Sequence, residues 1–179
     1  MNVTLKLNAR LQPRHRFDLE DALEEILQAI DLGEVTGGGT GTKPSGEIAF
    51  CCIDIELKKD DDESIRMLTK IVNEIEVPKG SFIETQDDDI GVGTQEGLAI
   101  YLNGTDLPED VYKSCDINHA IDILSQAVEG IGSLYSFWEG NEATALYYYG
   151  SSFEEMEKLI KEAAKTYPLC DECRIERIA

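Results

Sequence analysis

Val3-Thr4-Leu5-Lys6-Leu7-Asn8-Ala9-Arg10-Leu11 alternates apolar and polar residues without a break. Side chains of a strand point to its two faces in turn. A period of two therefore makes Val3, Leu5, Leu7, Ala9 and Leu11 one buried face of a half-covered strand. The pattern then changes to helical spacing. Asp18 is placed to cap a helix whose apolar positions Leu19, Leu23, Ile26, Leu27 and Ile30 recur at three and four, and Gly33 is placed at its left-handed end. Glu34 to Thr36 opens a second strand that Gly37 to Gly41 interrupts, and Glu47 to Leu57 is a third, with Cys51, Ile53, Ile55 and Leu57 on one face. Asp60 to Glu63 supplies negative charge ahead of a helix carrying Ile65, Leu68, Ile71, Val72 and Ile75, where it complements the positive end of the helix dipole. Pro78 and Gly80 end that helix, and Ser81 to Glu84 reads as a short fourth strand.

The same order recurs downstream. Leu98, Ile100 and Leu102 alternate as a strand, and Asp116 caps a helix bearing Ile117, Ile121, Leu124, Ala127 and Val128. Ser133 to Glu139 and Ala143 to Tyr149 are strands joined at Gly140-Asn141, a hairpin signal. Ser152 and Glu155 have capping-box spacing ahead of the stripe Phe153, Met156, Ile160, Ala163 and Tyr167, and Cys173 to Ile178 is a last strand. Two successive β-α-β-β-α-β halves predict an α+β protein of two tandem ferredoxin-like halves with antiparallel sheets. We expect these halves at residues 1–88 and 97–179, divided by the polar stretch between Gln86 and Gly97. In the first half, Lys6, Asn8, Arg10, Asp54 and Glu56 make the face away from the helices polar. In the second, one strand register puts Tyr101, Trp138 and Tyr148 there, a greasier surface suited to meet the first half's sheet or a protein partner.

Composition narrows the function. With 16 Lys and Arg against 36 Asp and Glu, the formal net charge is −20, and a surface so negative repels phosphate backbones. Nucleic acid is therefore not an expected partner, whereas a basic protein is, because charge complementarity speeds encounter. No apolar run reaches the roughly 20 residues of a membrane span, and the N-terminus alternates where a secretory signal would be apolar. We expect a cytoplasmic protein with reduced thiols, since five cysteines do not form an even disulfide framework.

Four stretches have chemistry to weigh. Gly37-Gly38-Gly39-Thr40-Gly41-Thr42-Lys43 has neither the glycine spacing nor the following helix of a phosphate-binding loop, and reads first as a hairpin tip or bulged strand. The other reading is a backbone surface that a ligand approaches closely. Arg14, His15 and Arg16, next to Arg10, form the basic cluster of the chain. Together with Gly37, Gly38 and Gly39 they are the candidate anion or small-molecule site, against a plain salt-bridged patch with Asp18, Glu20 and Asp21. Cys170 and Cys173 form a C-x-x-C without the second pair a structural zinc site needs, so no metal is expected there and a structural pair is preferred to a redox one. Asp87-Asp88-Asp89 lacks the glycine and the twelfth-position glutamate of a calcium loop and reads as a solvated connection. No catalytic residues and no cofactor-binding residues are nominated.

Ala9-Arg10-Leu11-Gln12-Pro13, Gly33-Glu34-Val35-Thr36-Gly37-Gly38-Gly39-Thr40 and Tyr167-Pro168-Leu169-Cys170, taken as a set, resemble a family of small acidic bacterial proteins without established activity. The resemblance implies a family that includes immunity proteins of polymorphic toxin systems. The resemblance spans most of the chain and implies no catalytic residue. It adds to the charge argument the expectation of a non-enzymatic, toxin-neutralising immunity protein. The alternative is a small-molecule or anion-binding domain, an enzyme among the options, built on the Arg14-His15-Arg16 and Gly37–Gly39 region.

Overall fold

The computed structural model describes all of residues 1–179. The chain divides into two compact units, residues 1–44, 48–95 and 179 in the first and residues 45–47 and 96–178 in the second. In the first unit the elements follow as β1 (Asn2–Leu7), α1 (Pro13–Ala29), β2 (Gly33–Thr42), β3 (Ile48–Leu57), α2 (Asp62–Glu74), β4 (Ser81–Glu84) and β5 (Asp89–Val92). The sheet order is β2-β3-β1-β4-β5, antiparallel throughout. Val3 lies opposite Ile55, Leu5 opposite Ile53 and Leu7 opposite Cys51. That register gathers the apolar face read from the alternation, and it is buried together with Leu23, Leu27, Leu68, Val72 and Ile83.

Both helices of this unit start and stop for local reasons, though not always the expected ones. Asp61 caps α2, its carboxylate accepting the Ser64 N–H at 2.9 Å, with Asp62 and Glu63 in the first turn. In α1 the structure corrects the expected start. The helix begins at Pro13, five residues before Asp18, and its N-cap Gln12 makes no side-chain cap. Proline at the first helical position needs no cap for its own absent N–H and brings a helical φ with it. The left-handed residue after α1 is Asp31, at φ 59°, and not Gly33. Gly33 is needed for a different reason: a Cβ there would stand 2.5 Å from the Glu56 carbonyl oxygen across the β2–β3 pair. β2 also runs on through the glycines that were expected to break it, with a register shift between Val35 and Gly37.

The second unit contains β6 (Glu96–Asn103), α3 (Glu109–Ser114), α4 (Ile117–Ala127), β7 (Gly132–Glu139), β8 (Ala143–Gly150), α5 (Phe153–Ala164), a 3-10 turn (Pro168–Cys170) and β9 (Arg174–Arg177). Its strand order β7-β8-β6-β9 is that of β2-β3-β1-β4 in the first unit. The protein is thus an α+β chain of two tandem ferredoxin-like β-α-β-β-α-β halves with antiparallel sheets. Asp116 and Ser152 cap α4 and α5, accepting from the N–H groups of Asn118 and Glu155. Leu98, Ile100, Leu102, Leu124, Val128, Leu146, Tyr148, Met156 and Ile160 form the core between sheet and helices.

Two short elements lie where the sequence shows none. β5 sits inside the stretch read as a connection and extends the first sheet beyond β4. α3 precedes the helix that Asp116 caps. Each has at most one buried residue, so neither shows an apolar period.

Candidate functional site

The second unit has an aromatic face that its pairing register selects, on which Tyr101, Tyr147 and Tyr149 are buried and Trp138 is half-buried. Tyr101 lies opposite Ala145 on one side and Arg174 on the other, and Ala145 lies opposite Trp138. Directly paired residues of antiparallel strands project to one face, so Tyr101, Trp138 and Arg174 share it. Tyr147 and Tyr149 fall there too, two and four positions from Ala145. Tyr148 does not. It pairs with Leu98, belongs to the helix-covered core and shares a 3.2 Å hydrogen bond with Ser125. The expected trio of Tyr101, Trp138 and Tyr148 is corrected at this residue. A run of three tyrosines has no internal alternation, and a shift of one position exchanges the faces. Burial pushes the Tyr148 phenol up to about 12.

On the same face lies the buried Glu47 carboxyl, which accepts the Tyr101 hydroxyl at 2.7 Å and the Tyr147 hydroxyl at 3.1 Å. Beside it opens a cavity of about 610 Å3, lined by Tyr101, Trp138, Glu139, Glu142 and Arg174 among others. The Arg174 guanidinium lies 3.9 Å from the Tyr101 ring centroid and is ion-paired with Glu176. Trp138 folds back across the hairpin turn, where a Cβ at Gly140 would meet its six-membered ring. Glu139 and Glu142 are exposed, and neither is held in an ion pair. Sequence reasoning found Tyr101 and Trp138 but passed over Glu47, Glu139, Glu142 and Arg174. Glu47 meets its two hydroxyl partners across 54 and 100 residues of chain, a separation that leaves no local pattern.

The structure treats the Arg14-His15-Arg16 and Gly37–Gly39 region differently. All three basic residues lie in the first turns of α1. Arg16 alone is buried, its Nε–H donating to Glu20 at 2.7 Å and an Nη1–H to Thr40 at 3.1 Å. The Glu20 carboxylate and the Arg16 guanidinium stand over Gly38, in the space a side chain there would need. Gly37 and Gly39 pair with Asp54 and Cys52 and so project to the other face of the sheet. Gly38 and Arg16 are therefore brought together, while the three glycines do not share one surface. His15 is held below its ordinary pKa by burial first and by the Arg14 charge second, against an upward pull from Asp18.

All five cysteines are free thiols. Cys170 is buried under α5, and burial first, then the neighbouring Cys173, pushes its thiol up to about 11. Burial raises Cys173 as well. A thiol kept protonated is a poor nucleophile and a poor metal ligand. The structure gathers no three His, Cys, Asp or Glu side chains in a way that would hold a metal ion. No helix is long and apolar enough to cross a membrane.

Neither a model of a known protein family nor a curated protein sequence matches the chain. Solved structures align along nearly all of it at low similarity. The first two RRM domains of yeast poly(U)-binding protein share 7% identity, covering 99% of each chain with a TM-score of 0.26. The ligand-free regulatory subunit of aspartate kinase from Thermus thermophilus shares 12%, covering 93% of each chain at 0.28. The acetolactate synthase small subunit from Thermotoga maritima shares 14%, covering 98% of this chain and 92% of that one at 0.27.

Proposed function

We propose that the protein is a non-enzymatic binding protein that masks a basic protein partner, and that it is a toxin-neutralising immunity protein acting in the bacterial cytoplasm. One observation carries the reading. The half-buried Trp138 lines an open cavity beside two carboxylates held in no ion pair, Glu139 and Glu142, on a chain of net charge −20. Aromatic anchors set among complementary charge are the composition of protein-binding hot spots. In this reading the partner is neither nucleic acid nor membrane, and binding requires no cofactor.

The test is a co-expression screen against basic toxin domains encoded in the same genome. Restored growth, with a stoichiometric complex that weakens as salt rises, supports the proposal. Continued toxicity together with no complex at low ionic strength sinks it.

A further inference from the structure

We infer that the cavity lined by Tyr101, Trp138, Glu139, Glu142 and Arg174 seats the guanidinium of an arginine side chain presented by the partner protein, an inference that rests on the protein-binding reading above. Its volume, about 610 Å3, lies within the range of small-molecule pockets and leaves ample room for one long side chain. Indole is the best aromatic face for a cation, and the Trp138 ring is set in place by the hairpin turn that Gly140 permits. Glu139 and Glu142 flank that turn on either side of Gly140-Asn141 and add two negative charges, neither in an ion pair, to a lining whose one cation is Arg174.

The cavity already contains an instance of this recognition. Arg174 lies over the Tyr101 ring at 3.9 Å while its guanidinium pairs with Glu176. A second guanidinium arriving from outside would find the same two elements, ring and carboxylate, in Trp138 and the Glu139–Glu142 pair. Guanidinium suits them better than ammonium because it is flat, weakly hydrated and able to stack while donating to a carboxylate.

The chain contains a single tryptophan, so its fluorescence reports on this cavity alone. The experiment titrates the full-length protein with N-acetyl-arginine amide and follows Trp138 emission. We expect a saturable change, absent with N-acetyl-norleucine amide. The exposed substitutions Glu139→Gln and Glu142→Gln should each weaken the apparent affinity about 2- to 5-fold without altering the circular dichroism spectrum. No saturable change, an equal response to the norleucine probe, or unaltered affinity in the double variant overturns the inference. Free L-arginine separates the two sources of the group, because it carries an α-ammonium and an α-carboxylate that an arginine within a protein chain lacks. If it binds more tightly than the capped form, the occupant is a small molecule and the assignment to a partner side chain is overturned. Failure here with toxin rescue intact removes this inference alone. A normal probe response without rescue removes the proposed function and the partner with it, leaving the guanidinium preference of the cavity.

Discussion

Arg16 donates its Nε–H to Glu20 at 2.7 Å, and this pair occupies the space in which a side chain at position 38 would stand. A Cβ there would also come within 2.6 Å of the Cys52 carbonyl oxygen, which the β2–β3 ladder holds in place. Gly38→Ala should therefore destabilise the protein by about 1–3 kcal/mol, as overpacking does. Gly37→Ala is the control, because its nearest neighbour is an Asp54 oxygen at 3.9 Å. Its effect should stay within about 0.5 kcal/mol. Urea midpoints at constant slope measure both.

The same ion pair should behave as a buried one. Its side chains are only 7% and 13% exposed, so removing one partner strands the other charge away from water. Arg16→Met should cost about 3 kcal/mol, and a further Glu20→Met should recover a large part of that loss. A double-mutant cycle by chemical denaturation reads the coupling. Strict additivity would show that the pair contributes no coupling.

Glu47 anchors two hydroxyls on the aromatic face. Tyr101→Phe and Tyr147→Phe each delete one donor and should cost about 1 kcal/mol apiece, whereas Glu47→Ala removes the shared acceptor and should cost more than either. Equal losses for Glu47→Ala and a single tyrosine variant would show that one of the two bonds contributes nothing.

Alkaline pH should unfold the second unit through two groups. Tyr148 is pushed up from 10.0 to about 12 and Cys170 from 9.0 to about 11, both by burial first. A pKa raised on folding adds stability that is complete below the unfolded value and is lost as pH rises through the folded one. Stability should therefore fall from about pH 9 upward as these two groups ionise in the unfolded chain. Cys170→Ala should flatten the decline that begins near 9 and Tyr148→Phe the part beginning near 10, in melting curves recorded against pH. In the native protein near neutral pH, Cys170 should alkylate far more slowly than after unfolding.

Much of the architecture was legible because its signals are local. The alternation from Val3 to Leu11, the stripes at three- and four-residue spacing, and the caps Asp116 and Ser152 each involve residues within a few positions of one another. Where a local signal misled, a longer-range contact had taken over. Gly33 reads as a helix end, yet its place is set by the Glu56 carbonyl on a neighbouring strand. Asp18 reads as a cap, but Pro13 had already begun the helix. The candidate site was half legible. Tyr101 and Trp138 announce themselves as aromatics on strands, whereas an isolated glutamate such as Glu47 looks like any other of the 36 acidic residues.

By itself, then, the sequence determined the order of strands and helices, and with it the doubled β-α-β-β-α-β fold. Period and capping are properties of adjacent residues, and they survive without any knowledge of the whole. Only the tertiary structure decided which tyrosine of Tyr147-Tyr148-Tyr149 entered the core, that Arg16 lies over Gly38, and that Glu47 receives two phenols. Those outcomes depend on strand register and on contacts between distant residues. A uniform aromatic run or a lone carboxylate is equally compatible with either choice until pairing selects one.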